Sequence, residues 1–294
     1  MKTITLNLLL AGAALLHAQN QQQRVPFTLP VTVEVKKDIV YAEYGAKKLR
    51  LDLYTPKSRP AGPIAGIVVV RGGGWRSGDK DGFAPIAAGL ADRGFAAACI
   101  EYRGLPDFTV SDSVHDTKAA VRWMRVEATN YGIRPDAIGA IGGSSGGHLV
   151  ALLGTSYKAK DLEGSGGHPG VSSRVQAVVS MAGVFDFDAF SRNAGFDFDA
   201  LARNAGATAT FIKSVSPVVY LDKDSAAFLL IHGDADAVVP YSQSQEMVER
   251  CQTVGVGADL ITLKGVGHGF WNSPQYFGDT IDQAATFFRS VLGK

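Results

Sequence analysis

Residues 31–54 alternate apolar and polar positions about Gly45, as in Leu49-Arg50-Leu51-Asp52-Leu53-Tyr54, and this period of two predicts a β-hairpin with one exposed face, ending at Pro56. Residues 64–70 are instead continuously small and apolar, which predicts a strand covered on both faces. From there strand-like and helix-like runs alternate: helix over 83–93, strand over 95–100, helix over 113–130, strand over 138–141, helix over 145–154 and strand over 175–181. After an irregular stretch come strand 228–232, helix 242–254, strand 259–263 and a final helix over 275–292. Such alternation predicts an α/β fold, with a mainly parallel central sheet and helices on both faces, over residues 31–294.

Two segments fall outside this rhythm. Lys2 precedes an apolar stretch from Leu6 to Leu16, then His17 and Ala18 before a polar Gln/Asn run, so residues 1–18 are expected to be a secretory signal peptide and 19–30 a flexible leader. The apolar part is shorter than the ~20 residues a bilayer span needs. The mature chain is therefore expected to be exported, to the periplasm or beyond, without a membrane span. The second segment, about 184–221, contains a tandem repeat of eleven residues: 185–195, beginning Phe185-Asp186-Phe187-Asp188, is followed by 196–206, beginning Phe196-Asp197-Phe198-Asp199. It is expected to form a small lid insertion, because loops at the C-terminal ends of parallel strands carry recognition.

Composition narrows the partners more than the fold. Lysine plus arginine, 29, nearly cancels aspartate plus glutamate, 28, so no general field favours nucleic acid or anionic lipid. Cys99 lies in a strand-like run and Cys251 in a helix-like one, and both read as small buried hydrophobes.

The chemistry gathers where strand 138–141 breaks into helix 145–154. Gly143-Ser144-Ser145-Gly146-Gly147 fits G-x-S-x-G centred on Ser145, a serine on a strained strand-to-helix turn with glycines where side chains would collide. A serine hydroxyl needs a base, and the base needs an acid to hold its tautomer. His268, in the glycine-lined loop Gly265-Val266-Gly267-His268-Gly269-Phe270 after the last strand, is the best-placed base; His148 and His232 read as buried and satisfied, His115 and His168 as surface or capping residues. Asp234 and Asp236, at the end of strand 228–232, are equal as acids on local grounds. Oxyanion donors are expected from the backbone N–H of Gly146 and from the turn Gly72-Gly73-Gly74, chiefly Gly73 and Gly74. Such chemistry requires no metal and no organic cofactor. Trp75, Phe185, Phe270 and Trp271 are candidates for an acyl pocket.

With these residues assembled, the chain resembles the α/β-hydrolase superfamily, in the esterase/lipase branch with an HGGGW oxyanion motif, and within it the bifunctional feruloyl and acetyl-xylan esterase type. The likeness runs through Arg71-Gly72-Gly73-Gly74-Trp75, Glu101-Tyr102-Arg103, Asp116 to Arg125, Ser144-Ser145-Gly146-Gly147-His148, His232 to Pro240 and Gly267-His268-Gly269-Phe270. It implies a secreted serine esterase acting on small esters or acylated oligosaccharides, with Asp236 as the acid. Arg71 departs from the family's histidine. A prolyl-oligopeptidase-like peptidase and a catalytically silent binding protein share some of these motifs, but the first carries a propeller for which this chain has no room.

Overall fold

The computed structural model describes residues 27–59, 62–193 and 213–293. The signal-peptide and most of the leader expectation, and the second copy of the repeat, lie outside the described residues.

Eight strands form one sheet in the order β1-β2-β4-β3-β5-β6-β7-β8. The hairpin β1 (Val33–Tyr44) and β2 (Lys47–Pro56) sits at one edge, antiparallel to itself and to β4 (Ala96–Ile100). β3 (Ile64–Val70), β5 (Ile133–Gly143), β6 (Ala177–Met181), β7 (Ala227–Gly233) and β8 (Ala258–Leu263) run parallel with β4. Parallel strands need crossovers, and helices supply them.

The helices α1 (Ala84–Asp92), α2 (Val110–Val126), α3 (Ser145–Thr155), α4 (Phe187–Asn193), α5 (Ser242–Val254) and α6 (Pro274–Leu292) divide between the two faces. The pleat sends Val68 and Val70 of β3 into one core, with α2, α3 and α5, and Ile67 and Val69 into the other, with α1 and α6. All seven residues of β3 are buried, as a continuous apolar run requires.

α2 starts three residues earlier than periodicity predicts, because Thr109 and Asp112 form a reciprocal capping box. It stops at Val126, and only a one-turn helix, Ala128–Tyr131, continues to the left-handed Gly132. Of the insertion, the described ends pack on α3 and α5: the Gln243 side chain accepts from the N–H of Phe185 and Asp186, and the Ser216 hydroxyl accepts from the N–H of Phe187.

Candidate active site

The segments that follow β3, β5 and β8 converge on a cavity of about 650 Å³, whose wall includes Arg71, Gly72, Gly73, Gly74, Ser144, His268 and Trp271. The strand-to-helix turn enters this wall through Ser144, not Ser145. Ser144 has φ 55° and ψ −123°, a conformation L-residues rarely hold, while Ser145 already belongs to α3 and is 1% exposed.

The glycines explain why the turn is centred on residue 144. A Cβ on Gly142 would lie 2.4 Å from the carbonyl oxygen of Gly146, and one on Gly146 would lie 2.2 Å from the carbonyl oxygen of Val70. The backbone therefore crosses itself two residues before and two residues after Ser144. Gly143 and Gly147 are also crowded, but by Trp271 and by Ser180, outside the turn. The Ser145 hydroxyl points into the interior, with no well-formed hydrogen bond. Its neighbour there is the Tyr102 phenol, which burial pushes up and which the Arg71 charge and Ser145 draw part of the way back.

Moving the turn centre adds a donor. The residue after Ser144 is Ser145, the first residue of α3, and its N–H, like that of Gly146 in the same first turn, has no intrahelical acceptor. Gly72 is the closest of the glycine triplet: a Cβ there would lie 2.7 Å from the Gly143 carbonyl oxygen and 3.3 Å from Ser144 Cβ. Among the described residues, the N–H groups of Gly73 and Gly74 donate to no backbone or side-chain acceptor.

His268 is held from behind and from one side. Its Nδ1 lies 2.6 Å from Asp236 Oδ2, and its ring meets Trp271 edge-on at 5.4 Å. The Asp236 side chain is fully buried, and its Oδ1 accepts from the N–H of Val238 and Val239 at 2.8 and 2.9 Å. Burial pushes this carboxyl up, but the hydrogen bonds from His232, His268 and the backbone outweigh it and hold it well below the ordinary carboxylate range. His232 is a satisfied core residue, as its place in a buried strand predicts, and it also supports Asp236. Its Nε2 stands 3.2 Å from Asp236 Oδ2 and 3.0 Å from the Val239 carbonyl, and its Nδ1 pairs with the Ser244 hydroxyl at 2.7 Å. Asp234 turns elsewhere: its Oδ1 accepts from Gly265 N–H at 2.6 Å and pins the loop that carries His268.

Of the four aromatic candidates, only Trp271 lines the cavity; its apolar companions there are Phe27, Phe83, Ile86 and Phe277. Trp75 is buried, and its indole N–H donates to His148 Nδ1 at 2.9 Å. Phe185, at the start of the insertion, is buried in the core, and Phe270 faces a smaller groove behind His268. No described residue of the insertion lines the cavity.

The BD-FAE family model matches residues 51–251. The chain is 32% identical over 225 residues to the probable carboxylic ester hydrolase LipM of Mycobacterium tuberculosis, covering 74% of this chain and 52% of that protein. It is 28% identical over 259 residues to isoprenylcysteine alpha-carbonyl methylesterase ICME of Arabidopsis thaliana, covering 83% and 59%. The chain thus spans little more than half the length of these curated relatives. Among solved structures, a truncated carbohydrate esterase from gut microbiota superimposes with TM-score 0.76 at 30% identity, covering 90% of this chain and 99% of that one. Thermogutta terrifontis esterase 2 phosphorylated by paraoxon gives TM-score 0.74 at 30% identity, covering 92% and 99%.

Proposed function

Because the chain belongs to the BD-FAE family and has the α/β-hydrolase fold, we propose that it hydrolyses carboxylic esters with Ser144 as nucleophile, His268 as base and Asp236 as the orienting acid. The observation that carries this reading is the strained Ser144 turn opening into the same cavity as His268. His268 takes the Ser144 hydroxyl proton through Nε2, because Nδ1 is engaged by Asp236. The Ser144 oxygen attacks the ester carbonyl, and the N–H groups of Ser145, Gly73 and its glycine neighbours receive the developing oxyanion. His268 then protonates the departing alcohol, and a water deprotonated by the same imidazole releases the acid from the acyl-enzyme.

The apolar side of the cavity, formed by Phe83, Ile86, Trp271 and Phe277, suits a short acyl chain or an aromatic one. Acetyl or feruloyl esters of plant polysaccharide are the proposed substrates, a reading supported by the likeness to a carbohydrate esterase. Residues 1–18 are proposed to direct export.

A panel of acetylated xylan, methyl ferulate and short p-nitrophenyl esters tests the substrate class, and failure on every ester overturns the reading. Ser144→Ala should lower kcat by ~10⁶, the size of loss seen when a triad nucleophile is removed. Ser145→Ala should keep turnover. Paraoxon should modify Ser144 and leave Ser145 unmodified, as peptide mass mapping would read.

A further inference from the structure

Arg71, where the resembling family carries histidine, holds a charge that no described carboxylate neutralises. Its side chain is buried, 7% of the residue being exposed, and among the described residues no carboxylate pairs with it. Asp79 and Asp81 line the same cavity without reaching it. A buried cation left without a counter-ion is costly, so its neighbours must supply compensation. Three backbone carbonyls and one ring do so: Nη1 donates to Gly72 O at 2.8 Å, Nη2 to Arg76 O at 2.7 Å and Nε to Gly78 O at 3.2 Å, while the guanidinium lies 4.4 Å from the Tyr102 ring centroid.

The contact with Gly72 O reaches the reaction. That carbonyl and the N–H of Gly73 are two ends of one trans peptide and point in opposite directions. A cation bound to the oxygen end withdraws electron density from the nitrogen end, which strengthens Gly73 N–H as a donor, as chained hydrogen bonds strengthen one another. Arg71 Nη1 also stands 2.8 Å from where a Gly73 Cβ would be, so the same group fixes the position of this peptide. We propose that Arg71 is a positioning residue that polarises the Gly72–Gly73 peptide, so that its charge is felt by the oxyanion through Gly73 N–H. Histidine can hold such a loop, but it carries a fixed charge only below its own pKa, whereas guanidinium keeps it throughout.

This inference rests on ester hydrolysis at Ser144, and wild-type turnover of p-nitrophenyl acetate decides that reading separately. Among folded variants, verified by an unchanged circular dichroism melt, Arg71→Gln keeps donors without charge and should lower kcat about 10²-fold, the range for losing an oxyanion donor, with KM nearly unchanged. Arg71→Lys keeps the charge at one point and should fall between it and wild type. Affinity for an aryl trifluoromethyl ketone, which forms an anionic hemiketal on Ser144, should drop by the same factor as kcat/KM. In Arg71→Gly, added guanidinium at sub-denaturing concentration should restore part of kcat. Equal activity in wild type and Arg71→Gln would overturn the proposal, as would equal losses in Gln and Lys variants carried by KM with ketone affinity unchanged.

Discussion

Ser144 is held at a positive φ that costs about 1–3 kcal/mol in a residue with a side chain. Ser144→Gly should therefore raise the melting temperature while abolishing turnover, and Ser144→Ala should abolish turnover without that gain; calorimetry beside an esterase assay reads both. Asp236→Asn should cost ~10⁴ in kcat, because the amide no longer fixes the imidazole tautomer. These residues differ in how far the chain reveals them. His268 stands alone in its loop, whereas Asp236 shares one with Asp234, and the family likeness is what separates the two acids. Ser144 does not stand alone. Gly142-Gly143-Ser144-Ser145-Gly146 fits the same pattern as the window one residue later, and spacing cannot choose between overlapping matches. What chooses is a collision between residues 142 and 146, visible only when the backbone is folded.

Helix α3 joins the Ser144 turn to its surroundings through His148, whose Nε2 donates to the Val215 carbonyl at 2.7 Å and whose Nδ1 accepts from Trp75. Burial depresses this histidine to about 4, the Val215 carbonyl opposing only part of the shift. The unfolded chain takes up the proton near pH 6.5 and the folded one near 4, so stability falls as pH drops through this window, by roughly 3 kcal/mol in all. His148→Gln should flatten melting temperature against pH between 7 and 4. Asp236 acts in a lower window: its stabilisation is present above about pH 4 and lost as pH falls towards its depressed folded value. Element identities were largely legible from periodicity, and α5 matches residue for residue because the left-handed Gly255 ends it where a glycine is expected. β5 was less so. It runs from Ile133 through Pro135 and Asp136 to Gly143, and its polar start conceals a strand that pairing with β3 alone establishes.

Across the molecule, the edge hairpin is tied to the active-site loop by Lys80, which follows the Arg71–Asp79 turn. Lys80 Nζ lies 3.0 Å from Asp38, 3.4 Å from the buried Asp52 and 3.8 Å from Glu101. Lys80→Met strands the Asp52 carboxylate in the core and should destabilise by about 3–5 kcal/mol, and adding Asp52→Leu should recover much of it. Denaturant unfolding of the single and double variants measures both. The cavity wall draws Phe83 and Ile86 from the crossover between β3 and β4, and Trp271 and Phe277 from the segment after β8, so acyl selectivity depends on segments far apart in the chain, and no local motif discloses it. The crossing of Gly142 and Gly146 has an evolutionary corollary. Adjacent serines resemble a spare part, yet the close approach of 142 and 146 sets the turn at residue 144, and Ser145 stays in α3 with its hydroxyl in the interior. A lineage that loses Ser144 would thus keep the scaffold and the cavity while the adjacent serine offers no replacement in the same backbone.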